Sequence, residues 1–338
     1  REVAPEGGDE VLLTGAGFGS GVRITVGGRP ATIVERMSSR AVRIRVPPGA
    51  PGLARIEAEE EGERFTGDPV LAYAPHPYIA WRADSLPQLR QKFHSPIFEP
   101  WRRVILAGAN QPPPLNQLQG PDGANSPYYY WLAYVFTGDR QYRSRLMAVM
   151  EALCSQRNHE QFQIQKAVPV ALVYDSLFRE LTGEERQMMI EYLDRSLNLY
   201  LNRTRHSDWW FANNPSNTIA VGANGGGHAA LALLYSRPQE AKSAIDAAVR
   251  LVRTRYVSIM DDGACIEGTL YWDYGLSQQV LLGRALQSAL GDDRGLLRTP
   301  RLENAVKFAQ SQMGGAGFFF VNNDTQPFLT GVVIAADT

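Results

Sequence analysis

The chain has 338 residues, with 34 Lys and Arg against 35 Asp and Glu and a formal net charge of −1. At roughly 100–200 residues per domain it has room for about two domains. The balanced charge excludes a basic nucleic-acid groove or an acidic tail, and no apolar run nears the roughly 20 residues of a membrane span. Two cysteines, Cys154 and Cys265, are too few for a disulfide framework or a four-thiolate zinc site; a single bridge between them stays open, and buried free thiols are the first expectation. The five histidines, His76, His94, His159, His206 and His228, include no pair at ligand spacing. No metal and no cofactor are expected.

Short strands come first. Segments 11–14, 22–26, 31–34, 41–46 and 54–57 are β-prone, several alternate apolar with polar, and glycine- and proline-rich turns separate them. The spacing predicts a small β-sandwich over 1–74. Within it, Gly15-Ala-Gly-Phe-Gly-Ser-Gly21 fails as a dinucleotide loop. Position 20 is Ser, and a strand follows where a helix should open, so a hairpin turn is expected. The succession of Pro5-Glu-Gly-Gly, Leu13-Thr-Gly-Ala-Gly-Phe-Gly, Val26-Gly-Gly-Arg-Pro-Ala-Thr and Val46-Pro-Pro-Gly resembles the IPT/TIG immunoglobulin-like family. That resemblance implies a spacer or binding unit of surface and secreted proteins.

From Ala74 the texture turns helical. Ten stretches with helical period are expected near 84–93, 96–108, 126–137, 140–155, 160–180, 183–203, 215–235, 238–254, 271–290 and 300–313. The stretch 164–181 is apolar all round, as in a helix packed on both sides. Asp175 falls on one of its apolar stripes, where a carboxylate needs a partner. Paired helices without a fixed repeat favour an (α/α) toroid over a solenoid. The domain reading is therefore 1–74 sandwich, 75–315 toroid, short of a complete barrel, and 316–338 the start of a C-terminal β-domain. The chain opens at Arg1 without Met or signal peptide and stops just after an apolar run, so it reads as a fragment.

Two segments carry candidate chemistry. In Asp208–His228, Asn214 is expected to cap a helix that begins at Pro215. Asn217, Asn224 and His228 then share a polar stripe, and the small residues around them admit close neighbours. The helix start favours an anion, while Trp209 and Trp210 offer a flat platform for a sugar ring. In Asp261–Gly275, a helix from about Glu267 would project Glu267, Leu270, Tyr271 and Tyr274 on one side. A tyrosine can serve as base where neighbouring cations lower its pKa from about 10.

Together with His76-Pro-Tyr-Ile, Ala83-Asp-Ser-Leu-Pro-Gln-Leu and Leu172-Val-Tyr-Asp-Ser-Leu, these two segments resemble the heparinase II/III and alginate-lyase group of polysaccharide lyases. The resemblance covers most of 76–338. It implies β-elimination on an acidic, uronate-containing polysaccharide by a secreted or periplasmic enzyme. By position Tyr271 looks like the catalytic tyrosine, with Tyr274 as alternate and Asn217 or Asn214 as carboxylate neutraliser. Arg205 and His206 could hold the carboxylate or tune the tyrosine. Trp209, Trp210, Glu267, Asn224 and His228 complete the expected site. Relatives place a histidine directly after the second Asn, where this chain has Pro215; His206 or His228 could substitute. Two other readings stand beside this one. Asp261, Asp262 and Glu267 could serve a glycoside hydrolase, or the chain could be a carbohydrate-binding scaffold without catalysis.

Overall fold

The computed structural model describes residues 1–111, 126–155, 160–205, 216–256 and 258–311. Two compact units emerge, Arg1–His76 with Leu234–Pro238, and the chain from Pro77 to Leu233 and from Gln239 onward.

The first unit is a two-sheet β-structure. Strands β1 (Glu2–Val3), β3 (Arg23–Val26), β4 (Arg29–Pro30), β7 (Gly52–Glu60) and β8 (Glu63–Tyr73) form one sheet in the order β1-β8-β7-β3-β4. Strands β2 (Glu10–Thr14), β5 (Thr32–Ser38) and β6 (Ala41–Arg45) form the other, in the order β2-β6-β5. Only β1 and β8 pair in parallel. Alternation supplies the core: Val11, Val22, Ile24, Val26, Val42, Ile44, Ile56 and Leu71 point inward and are buried.

All five expected strands are present, and three more appear. The longest addition, β8, continues through Gly67 and Pro69, residue types that usually interrupt strands. What makes it a strand is its turn: Glu61 (φ 51°) and Gly62 (φ 88°) are both left-handed, the geometry of a tight hairpin. Gly27 and Gly28 (φ 56° and 75°) do the same between β3 and β4. The glycine-rich segment is not the expected hairpin turn: it carries the chain from β2 in one sheet to β3 in the other. Its Gly19 and Gly21 N–H groups donate to the Glu60 carboxylate at 3.0 and 3.3 Å, so an internal acid occupies the place a phosphate would take.

The second unit is helical. Its described helices are α1 (Leu86–Phe93), α2 (Glu99–Asn110), α3 (Ser126–Thr137), α4 (Arg140–Ser155), α5 (Glu160–Gln165), α6 (Ala167–Leu177), α7 (Gly183–Arg205), α8 (Asn217–Ala232), α9 (Pro238–Thr254), α10 (Thr269–Leu290) and α11 (Pro300–Ser311). A 3-10 turn, Pro96–Phe98, precedes α2. The expected helix at 160–180 is split at Lys166. Pro169 has no N–H to give the Gln165 carbonyl four residues earlier, so the chain kinks there and α5 ends at Gln165. Every residue of α6 except Ser176 is buried, as its all-round apolar pattern requires. Asp175 accepts from the backbone N–H of Tyr78 at 3.1 and 3.0 Å and of Ile79 at 2.8 Å, which answers its need for a partner.

Helix α8 is the core of this unit. From Ile219 to Leu233 it is buried throughout, and it packs against α5, α6, α7 and α10. Its three consecutive glycines each serve a different neighbour. A methyl on Gly225 would lie 2.1 Å from the Ile164 carbonyl oxygen of α5, on Gly226 2.4 Å from the Tyr200 ring of α7, and on Gly227 2.4 Å from Leu282 of α10. Both cysteines are free and buried. No described helix is long and apolar enough to cross a membrane. The segment expected to open a C-terminal β-domain, 316–338, lies outside the described residues.

Candidate functional site

The start of α8 differs from the expected one. Ser216, in extended backbone, is the cap, and its hydroxyl accepts from the Thr218 N–H. The helix then runs from Asn217. Asn214, expected as cap and neutraliser, lies outside the described residues with Pro215, His206, Trp209 and Trp210.

The second segment is also redistributed. Gly268 has φ 90°, a conformation closed to other residues, and α10 begins only after it. Glu267 is therefore released from the helix, and it does not continue the face of Tyr271 and Tyr274. Its carboxylate instead crosses to the start of α8, accepting from the Asn217 backbone N–H at 2.8 Å and from Asn217 Nδ2 at 3.0 Å. The positive end of α8 thus carries an internal anion. Asn217 is 7% exposed, and the bond to Glu267 fixes which way its amide faces while leaving the second Nδ2 hydrogen available.

Tyr271 and Tyr274, one turn apart on α10, are both half-buried. Tyr274 Oη accepts from Gln165 Nε2 at 2.7 Å. Burial pushes the Tyr274 phenol up to about 12, and the neighbouring Tyr271 adds to the rise. Tyr128 of α3 belongs to the same group: burial first, then Tyr274, raises its phenol as well. Gly275, next to Tyr274, brings a third tyrosine close. A methyl there would fall 2.0 Å from Tyr256 Oη and 3.3 Å from Asn217 Cβ.

Tyr256 and Ser258 are fully buried. Burial drives the Tyr256 phenol well up, with Cys265 and Glu267 contributing. Ser258 lies close enough to favour the phenol's anion, yet neither hydroxyl meets hydrogen-bonding geometry. Buried hydroxyls without partners are uncommon in folded proteins and mark a place worth explaining.

Further along α8, Asn224 Nδ2 donates to Gln278 Oε1 at 2.7 Å, and Asn224 Oδ1 is buried without a partner. His228 Nδ1 lies 3.0 Å from the Asn224 carbonyl oxygen, so that nitrogen carries the hydrogen. Burial depresses His228 to about 4, outweighing that bond, and keeps the ring neutral. The stripe of Asn217, Asn224 and His228 is therefore inside the protein. Arg205 is exposed at the last residue of α7. Asp261 and Asp262 are exposed too, and Asp262 Oδ1 accepts from the Ala264 N–H within a turn. Among the described residues, no group of three or more His, Cys, Asp or Glu is placed to hold a metal.

Tyr128, Gln165, Tyr256 and Ser258 were not among the expected site residues. The Tyr128-Tyr-Tyr-Trp131 run behind Pro127 was a legible signal for the first. For Gln165 the signal was Pro169, which ends α5 on that residue.

Residues 2–73 match the family model of the IPT/TIG domain. Comparison with curated proteins returns no match. Among solved structures, a polysaccharide lyase aligns with 92% of this chain and 59% of its own length, at 10% identity and a TM-score of 0.35. The chain thus spans less than two thirds of that lyase. It carries an N-terminal IPT/TIG domain followed by a helical unit.

Proposed function

We propose that the helical unit is a polysaccharide lyase of the heparinase II/III and alginate-lyase kind. Its fold would be an (α/α) toroid, and its reaction would cleave a uronate-containing polysaccharide by β-elimination outside the cytoplasm. The observation that carries the reading is the grouping of Tyr271, Tyr274, Tyr128 and Gln165, with Gly275, the residue after Tyr274, close to Asn217, which Glu267 holds. Elimination needs a base for the C5 proton, a donor for the departing O4, and hydrogen-bond donors for the charge that grows on the carboxylate. Tyrosines supply the first two. The remaining Nδ2 hydrogen of Asn217 suits the third, and Glu267 holds that amide in place.

Asn214, His206, Arg205, Trp209, Trp210, Asn224 and His228 remain proposed contributors. For His228 the proposal is a neutral ring, which can accept a hydrogen bond at Nε2. The hydrolase reading loses support because Asp261 and Asp262 sit in an exposed turn and both Glu267 oxygens are engaged by Asn217. Incubation with alginate, heparan-type, chondroitin-type and glucuronan polymers, followed by near-ultraviolet absorbance and product mass, tests the proposal. Unsaturated products are expected. Products enlarged by water would mean hydrolysis, and binding without any product would leave a scaffold.

A further inference from the structure

In the lyase reading, on which this inference rests, two neighbouring tyrosines share proton transfer and must differ in role. The hydrogen bonds distinguish them. An amide N–H can only donate, so in the 2.7 Å contact with Gln165 Nε2 the Tyr274 oxygen is the acceptor. Its single hydrogen must then point elsewhere. Tyr271 makes no hydrogen bond through its hydroxyl among the described residues. We propose that Gln165 is a positioning residue that makes Tyr274 the proton donor of the pair, turning the phenolic hydrogen toward the bound glycan and stabilising the charge left when it departs.

The chemistry balances. Tyr271, its own phenolic proton first given up to solvent, takes the C5 proton; the C5–H electron pair forms the double bond to C4; the C4–O4 pair leaves with O4; and Tyr274 gives O4 its proton. Tyr271 ends protonated and Tyr274 ends as phenolate. A proton passed from Tyr271 to Tyr274 restores both. The Gln165 bond strengthens during the step, since a hydrogen bond to a charged acceptor is stronger than one to a neutral phenol. Burial keeps Tyr274 protonated at neutral pH, as a donor must be.

Two features of the fold hold Gln165 in place. Pro169 ends α5 on this residue. Gly225 lets the adjacent Ile164 carbonyl lie directly on α8, so the end of α5 has little freedom to shift.

Gln165→Leu removes the donor. Gln165→Glu keeps the shape but offers a carboxylate that would draw the Tyr274 hydrogen to itself. In both variants kcat for unsaturated product should fall on the order of a hundredfold with KM little changed. Adding Tyr274→Phe to Gln165→Leu should cost little more, because the two act as one unit. Fluorotyrosine in place of Tyr274, followed by fluorine NMR, should titrate at higher pH in both variants, since each lacks the group that stabilises the phenolate. Wild-type kcat in Gln165→Glu, or an unchanged fluorine midpoint, would overturn the assignment. If the wild-type chain forms no unsaturated product, the lyase reading falls. The fluorine midpoint then decides alone: a rise upholds Gln165 as donor to Tyr274, and no change overturns it.

Discussion

The two units treat buried polar groups differently. In the β-unit the core is aliphatic with Tyr73, whose hydroxyl donates to the Pro47 carbonyl at 2.7 Å. Its buried Glu2 and His76 meet at 3.0 Å, and the N–H groups of its glycine loop find Glu60. In the helical unit, Trp81, Tyr200, Asn224, Tyr256, Ser258, Gln279 and Arg301 each bury a polar atom without a hydrogen-bond partner, Asn224 on α8 and Gln279 on α10 among them. A fold that needed only stability would pair or remove such atoms, because an unsatisfied buried polar group costs about 1–3 kcal/mol. Asn224 and Gln279 put part of that cost on α8 and α10, the helices that carry Asn217, Tyr271 and Tyr274.

The glycines offer the sharpest way to break this contrast. Gly225→Ala should destabilise by about 3 kcal/mol or more, because the atom it meets is the Ile164 backbone oxygen, which cannot rotate away. Gly19→Ala meets the tip of the Glu60 side chain, which can, and should cost under about 1 kcal/mol. Urea unfolding of both variants decides. Equal effects would mean that α5 and α8 do not approach as closely as described.

A pH titration of stability follows in size. His228 is held at about 4 in the folded protein against 6.5 for the free side chain. Below the free value the unfolded chain binds the proton more readily than the folded one. Stability should therefore be unaffected above pH 6.5 and fall as pH drops toward about 4, by roughly 3 kcal/mol in all. The fall should shrink in His228→Gln, measured by denaturant midpoint across that range. An unchanged slope would mean that His228 is not the neutral, buried ring described.

The smallest contrast lies between two tyrosines. Tyr73→Phe removes a made hydrogen bond and should cost about 1 kcal/mol, whereas Tyr256→Phe removes a hydroxyl with no partner and should be neutral or stabilising. Thermal melts of the two variants would show it. A destabilised Tyr256→Phe would place a tightly held partner on that hydroxyl.

Much of this architecture was legible in the sequence. Alternation in 22–26 and 41–46 marked strands, and the texture change after Ala74 marked the helical part, because side-chain period follows directly from backbone geometry. What escaped depended on single backbone positions or on contacts far apart in the chain. β8 was hidden because Gly67 and Pro69 usually interrupt strands, and the left-handed pair at 61–62 outweighed them. Pro169 split a helix that its apolar pattern presented as continuous. Gly268 turned Glu267 away from the tyrosines and toward Asn217, 50 residues earlier in the chain. Gln165 and Tyr274 are 109 residues apart, and no local spacing announces such a bond.

The most direct test of the account is product formation by Tyr271→Phe beside wild type, on the uronate polymer that the wild-type chain cleaves best. Unsaturated ends are expected from wild type and should be almost wholly lost in the variant, with binding of the polymer retained. Undiminished unsaturated product from Tyr271→Phe would contradict the assignment of that tyrosine, and water-added product from the wild type would contradict elimination itself.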